Sequence, residues 1–188
     1  MTVQPETLPS RFQFGLLWSR MRKAATLDRE MILELKENKT ATGQSLAVLV
    51  FASLAIGIGS TLKIDLAGNL SVYGIIVGGL RGIITGCFSA FIWSGTLYLV
   101  GTKLFQGKTT FWELARPMFF ASSPALLFIL IAIPISLLTT TVALVAAAWV
   151  VLLQGFVLKQ VMGFNTQRTV LTLAVGFMIL LFIYLSIY

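Results

Sequence analysis

The stretch SLAVLVFASLAIGIGSTL occupies residues 45–62 and contains no charged side chain. The hydrocarbon core of a bilayer is about 30 Å thick and is crossed by a helix of about 20 apolar residues. This stretch therefore predicts a transmembrane helix. Similar stretches without a carboxylate follow it, and they predict spans at residues 82–104, 117–138, 141–160 and 169–187. The sequence predicts an all-α polytopic membrane protein, a five-transmembrane-helix bundle preceded by a short amphipathic helical arm.

The composition excludes several classes of catalytic site. The 188-residue chain is 57% hydrophobic and 11% charged, has a mean hydropathy of +0.90, and contains no His and a single Cys. Soluble domains carry about 25% charged residues. Because the chain has no His and a single Cys, its composition excludes a His/Cys metal cluster, a Ser-His-Asp triad, a Cys-His dyad and an intrachain disulfide. We expect no enzyme, no cofactor and no metal site.

The positions of the charges predict the topology. Residues 1–43 form a predicted cytoplasmic arm with seven basic and five acidic residues, and residues 44–188 form the five-span domain. With the amino terminus in the cytoplasm, only Lys63 and Arg81 of the 14 basic residues fall on the other side. The positive-inside rule favours this orientation in a cell membrane (cytoplasmic or inner), with Tyr188 on the opposite side. The surplus of +7 is thus a topology signal, and we expect no nucleic-acid binding.

The arm contains two predicted helices. At about 100° per residue the first is a basic amphipathic helix, suited to the headgroup region of a membrane. Its apolar face comprises Phe14, Leu17, Trp18, Met21, Ala24 and Ala25, with Gln13, Arg20, Arg22 and Lys23 away from it. The second runs from Asp28 to about Glu37. Two interpretations stay open, a hairpin packed under the bundle and a docking surface for a soluble partner.

The second span has an ambiguous start. Residues 72–105 are 34 residues long, about 50 Å as a helix, which is longer than the bilayer is thick. Counting back from Lys103 places Arg81 at the outer interface, where its side chain extends to water. We favour this interfacial anchor over an intramembrane charge with a dedicated partner. Residues 72–80 would then extend the helix outside or fold back onto the membrane surface.

Small residues recur at every fourth position of this helix, a pattern that lets two helix backbones approach closely. We call this set the small-residue seam. Gly57 and Gly59 of the first span are candidates for the facing surface. Packing within one chain is favoured over a dimer interface. The seam comprises Gly74, Gly78, Gly82, Gly86, Ala90 and Ser94.

Prolines and one amide lie within the later spans. Pro117 is expected in the first turn of the third span. Pro124 is expected to kink this span, because proline has no N–H and leaves one backbone carbonyl without a donor. The hydroxyls of Ser122 and Ser123 are expected to donate to that carbonyl. Gln154 in the fourth span is expected to bond to a neighbouring helix. The spans contain no Asp, Glu or His, which weighs against an ion-coupled carrier.

Two segments resemble the YIP family of membrane proteins, which is named for interaction with Ypt/Rab GTPases. They are FQGKTTFWELARPMFFASSPALL at residues 105–127 and AWVVLLQGFVLKQVMGFNTQRTVLTL at residues 148–173. The first contains a Gly-Lys turn and an aromatic-small-small-Pro sequence, and the second contains a Gly-Phe turn before the last helix. The residues that carry the resemblance are Gly107, Lys108, Phe111, Pro124, Gly163 and Phe164.

The resemblance covers about residues 45–187 and implies a non-enzymatic membrane protein that organises membrane or recruits partners at its cytoplasmic face. The arm of about 43 residues makes the chain more similar to the prokaryotic branch. Expected partners are membrane lipids and other membrane protein subunits or a second copy of the chain; GTPase binding follows from the resemblance only. The residues expected to face lipid or a partner are Trp18, Arg20, Lys23, Arg116, Lys159 and Arg168. The alternatives are an accessory subunit of a larger complex and a small channel or carrier.

Overall fold

The computed structural model describes residues 14–65, 72–132 and 136–187, and these residues form helices with short connections and no strand. The arm contains α1 (Phe14–Ala25) and α2 (Arg29–Glu37). The membrane domain contains α3 (Thr42–Asp65), α4 (Val72–Leu99), α5 (Phe111–Phe120), α6 (Ser136–Met162) and α7 (Thr166–Ile187). Short 3-10 and π segments join them: Lys39–Ala41, Val100–Leu104 and Ser123–Ala132. Gln13 lies outside the described residues.

Capping residues set the helix ends near the arm. The side chain of Asp28 accepts from the backbone N–H groups of Glu30 and Met31, so α2 begins there. Thr110 and Glu113 form a capping box that begins α5. Gly163 has a φ of +68°, a left-handed conformation that favours glycine and ends α6. Local sequence thus determines where these helices start and stop.

The predicted five spans are confirmed within the described part of the chain. Five helices are long and apolar enough to cross a membrane: Lys39–Thr61, Ile75–Leu104, Phe111–Ile131, Leu137–Met162 and Thr166–Ser186. α4 is one continuous helix from Val72, so residues 72–80 extend the helix and do not fold back. Arg81 is exposed on this helix, and its place at the outer interface stays a prediction.

The third span differs from the prediction. Pro117 lies inside α5 and is buried, so it is not a first-turn proline. The capping box at Thr110 starts the helix earlier because it supplies the N-terminal hydrogen bonds. The expected break near Pro124 is present, since α5 ends at Phe120 and a 3-10 helix follows. Ser122 donates to the carbonyl of Met118 at 3.4 Å. The Ser123 hydroxyl has no partner, so the role predicted for it is wrong.

The small-residue seam packs against α3 within the same chain. A Cβ added at Gly82 would lie 2.7 Å from the carbonyl oxygen of Ser53 and 2.8 Å from the nitrogen of Gly57. A Cβ at Gly86 would lie 2.7 Å from the Cβ of Ser53. Gly78 approaches the side chain of Thr61. Gly57 therefore supplies the facing surface as predicted, because neither backbone carries a side chain at the crossing.

The remaining seam positions have different surroundings. Ala90 packs on a small core cluster around Leu49, and Ser94 is buried. Gly74 lies in α4 near its start, and its surroundings fall outside the described residues. Gly59 approaches the backbone of Phe128 in the 3-10 helix, so its predicted place opposite the seam is wrong. Residues 57 and 59 point about 200° apart on a helix, so they contact different neighbours.

Candidate functional site at the arm end of the bundle

The arm packs against the bundle as a helical hairpin. Leu17, Met21 and Ala24 of α1 are buried, and so are Met31 and Leu35 of α2. They belong to one hydrophobic cluster that also contains residues of α5 and α6. We call the end of the molecule that carries α1, α2 and the loops at residues 105–110 and 163–165 the arm end. Of the two interpretations of the arm, these contacts favour the packed hairpin.

Arg116 joins α5 to the arm. The side chain is 5% exposed, and its Nη1 donates to the carbonyl of Leu35 at 3.2 Å and to that of Lys36 at 2.7 Å. These carbonyls lie in the last turn of α2, where a helix has no internal donors and its dipole favours a cation. The prediction that Arg116 faces lipid or a partner is wrong, because its guanidinium satisfies the end of a helix from another part of the chain.

Lys36 makes a second link between the arm and the bundle. Its Nζ donates to the carbonyl of Val161 at 2.9 Å, near the end of α6. In the sequence, Lys36 is only one of the seven basic residues of the arm. The feature that could have indicated its role is its position in the last turn of α2, where Arg116 also binds.

Arg20 is buried in the interface of the hairpin. Its side chain forms an ion pair with Glu34 and a hydrogen bond with Gln44, and the residue is 6% exposed. The predictions that Arg20 lies away from the apolar face of α1 and that it faces lipid or a partner are both wrong. Arg20 is three residues from Leu17 and four from Ala24, so all three share a helix face. A buried charge needs such partners, because burial without them is costly.

The two loops that carry the family resemblance pack on each other. A Cβ at Gly107 would lie 2.9 Å from the Phe164 ring and 3.0 Å from the Met162 sulfur, so a larger residue there would require these side chains to shift. The backbone N–H of Gly107 donates to the carbonyl of Gly101 at 2.8 Å. Phe164 is 6% exposed and lies edge to face with Phe105. Gly107 and Phe164 therefore join the loop at residues 105–110 to the loop at residues 163–165, and Gly163 provides the left-handed turn at the end of α6.

The other residues of the resemblance are placed differently. Phe111 is half-buried among aromatic rings, with its centroid 6.3 Å from that of Phe91 and 6.2 Å from that of Tyr98. Pro124 is buried and lines an apolar groove between α1, the 3-10 helix and α6. Trp149 borders this groove and donates its Nε1 to the carbonyl of Ala25 at 3.1 Å. Lys108 is exposed.

Several cations at the arm end remain open to solvent or membrane. Lys23, Lys108 and Arg168 are exposed, and Trp18 is 67% exposed. Lys159 is half-buried and donates to the Thr166 hydroxyl at 3.1 Å. Contact of Trp18, Lys23, Lys159 and Arg168 with lipid or a partner stays a prediction.

A polar cavity opens between α2, the start of α3 and α5. Its volume is about 470 Å³, and Lys36, Lys39 and Arg116 line it together with the carboxylates of Glu37 and Glu113. Thr42, Thr110 and the half-exposed Trp112 complete the lining. No pattern noted in the sequence indicates this cavity. One of its walls is the first turn of α5, and the only local signal for that turn is the T-x-x-E capping box that begins at Thr110.

Gln154 forms the interhelix bond that its position predicts. Its Oε1 accepts from the Trp93 Nε1 at 2.8 Å, which links α6 to α4.

No group of three or more His, Cys, Asp or Glu side chains that could hold a metal occurs among the described residues.

Comparison with known families gives a match between residues 29–188 and a family model described as the Yip1 domain. The match begins at the first residue of α2 and extends through all five spans. No curated protein and no solved structure matches the chain.

Proposed function

Because the chain belongs to the Yip1 domain family, a family of membrane proteins, we propose that it is a non-enzymatic membrane protein that organises membrane or recruits and scaffolds partners at its cytoplasmic face. The working surface in this proposal is the arm end. Its partners would be membrane lipids and proteins that present acidic groups. GTPase binding is a narrower form of the same role, and only membership of the family supports it.

The attachment of the arm to the bundle supports this role. Arg116 and Lys36 donate from α5 and α2 to backbone carbonyls on the other side of the hairpin interface. This arrangement fixes the exposed cations Lys23, Lys108 and Arg168 relative to one another. Exposed cations on a fixed surface attract anionic lipid headgroups or an acidic protein segment.

The proposed orientation places the arm in the cytoplasm and the end of α7 on the other side of a prokaryotic cytoplasmic membrane. The basis is the charge distribution, since only Lys63 and Arg81 of the 14 basic residues are assigned to the far side.

The second candidate is an accessory subunit of a larger membrane complex, or equally a self-associating chain. The small-residue seam does not supply its interface, because Gly78, Gly82 and Gly86 approach α3 of the same chain. One available surface is the outer face of α7, where Phe177, Phe182 and other large apolar side chains are exposed. A channel or carrier remains the third candidate, and solute flux in proteoliposomes would support it.

An affinity experiment on intact protein tests the proposal. We expect the protein with Lys108→Glu and Arg168→Glu to retain several-fold less anionic lipid and acidic partner than the original chain, because repulsion replaces attraction at the arm end. Arg81→Glu is the matched control, since Arg81 is also exposed but lies on the far part of α4. Retained lipids and proteins are quantified by mass spectrometry.

Two results contradict the proposal. One is retention no greater than that of an unrelated five-span protein. The other is equal loss from the Arg81 control and the arm-end variant, which would reduce the effect to net charge.

A further inference from the structure

We propose that the polar cavity between α2, the start of α3 and α5 binds a phosphodiester, the headgroup phosphate of a membrane phospholipid. Lys36, Lys39 and Arg116 line this cavity. The inference deepens the proposed function, since it names a ligand class and a defined site at the arm end. It is separate from the exposed surface of Lys108 and Arg168, which do not line the cavity.

Arg116 provides the first argument. The residue is 5% exposed and its Nη1 is engaged by the carbonyls of α2, but its Nε has no hydrogen-bond partner. A buried donor on a charged group is costly when it is left unpaired. A phosphate group carries several acceptor oxygens and matches the planar donors of a guanidinium. The Nε atom itself is enclosed, so Arg116 contributes mainly its positive charge to the wall of the cavity, where it would attract a phosphate oxygen.

The charge balance of the cavity selects the kind of anion. Three cations line it against the carboxylates of Glu37 and Glu113. The Glu113 Oε2 is already an acceptor for the backbone N–H of Thr110 at 2.9 Å and for the Thr109 hydroxyl at 3.1 Å. Glu37 is exposed and disfavours ligands of high negative charge. A phosphodiester with one negative charge fits this balance better than a phosphomonoester or a polyphosphate.

The place of the cavity favours a lipid as the source of the phosphate. Its walls include the first residues of two spans, Lys39–Thr61 and Phe111–Ile131, so it opens where the chain enters the apolar layer. Trp112 lines the cavity and is 41% exposed, and tryptophan favours the headgroup level of a membrane. A volume of about 470 Å³ accommodates a small headgroup. The acyl chains of such a lipid would lie along the spans.

The test measures lipid bound to the full-length protein in mild detergent by native mass spectrometry. With phosphatidylglycerol as the probe, we expect Lys39→Gln to weaken binding about tenfold, because a charge-assisted hydrogen bond is lost. Arg29→Gln is the matched control, an exposed cation of α2 that does not line the cavity. Glu37→Gln is expected to strengthen binding several-fold, since it removes a repelling carboxylate. Lys39 and Glu37 are both exposed, so these changes spare the core.

A second arm of the experiment distinguishes the source of the phosphate. Soluble glycerophosphoglycerol and inorganic phosphate are added as competitors at millimolar concentration. If the soluble diester releases the lipid, the site recognises the phosphodiester itself. If neither competitor releases the lipid, the site recognises the whole lipid. Equal effects of Lys39→Gln and Arg29→Gln, or weaker binding to Glu37→Gln, overturn the proposal. Either result leaves the separate test on Lys108 and Arg168 unaffected.

Discussion

At the scale of single residues, two arginines are buried where the sequence placed them on the surface. Arg20 is paired with Glu34, and Arg116 donates to the carbonyls of Leu35 and Lys36. Burial of a charge is tolerated only where partners replace the lost water. Glu34 joins α1 to α2 within the arm, whereas the carbonyls that Arg116 contacts are distant along the chain and join the arm to the membrane domain.

Arg116→Met tests this link at the residue scale. Methionine fills a similar volume but cannot donate, so the carbonyls of Leu35 and Lys36 lose their partner. We expect a loss of about 1.5–3 kcal/mol in the free energy of unfolding, the range of hydrogen bonds to charged groups. Thermal unfolding in detergent measures the loss. Arg168→Met is the control, because Arg168 is exposed. An equal and small effect of both changes would mean that Arg116 does not hold the arm.

At the scale of elements, close backbone approach joins α3 to α4. Gly57 and Gly82 meet at the crossing, and Gly86 lies against Ser53. The third span combines α5 with a 3-10 helix.

A 3-10 helix rises about 2.0 Å per residue, whereas an α-helix rises about 1.5 Å per residue. The ten residues Ser123–Ala132 therefore cover more of the bilayer than an α-helix of the same length would. Runs of this length are uncommon, and this one has Pro124 as its second residue.

Gly82→Ala tests the seam. The new Cβ would lie 2.7 Å from the Ser53 carbonyl oxygen, and backbone on both sides prevents an easy adjustment. We expect loss of folded protein, seen as a reduced monodisperse peak in fluorescence-detected size exclusion. Gly95→Ala in the same helix is the matched control, since nothing lies within 4 Å of its added Cβ. This control should fold at least as well as the original chain, because alanine favours helix. Loss confined to a dimer peak would instead assign the seam to self-association.

At the scale of the whole molecule, our proposal puts the two ends of the chain on opposite sides of the membrane, because an odd number of crossings separates the ends of any chain. The described residues contain five helices that are long and apolar enough to cross. α3 and α4 are joined at one end, and the arm packs at the other end through α5 and α6. All contacts of Lys36 and Arg116 therefore lie at the end that we propose to be cytoplasmic.

Cysteine labelling tests this arrangement. Cys87 is the single cysteine, so Cys87→Ser gives a blank background. Lys108→Cys and Tyr73→Cys then place one exposed thiol near each end of α4. In sealed cells we expect an impermeable maleimide to label position 73 and to leave position 108 unlabelled until the membrane is opened. Labelling of both positions from one side would overturn the proposed topology.

Sequence patterns predict the helix ends around the candidate site, but they do not predict the contacts between segments that form it. The capping box at Thr110 and the turn at Gly163 are local motifs, so the helix ends that they set are readable from the sequence. The pairing of Gly107 with Phe164 is not, because the contact joins residues from two separate loops. The cavity around Lys39 likewise needs α2, α3 and α5 together.

The sequence by itself determined the helical class, the five spans and the small-residue seam, because long apolar runs and regular glycine spacing act locally in a bilayer. Only the tertiary structure decided which charges are exposed. Amphipathic spacing identifies a helix face, but whether Arg20 or Arg116 is buried depends on acceptors supplied by Glu34 and by the end of α2. The cost of burying a charge is set by such distant partners, and no local pattern contains them.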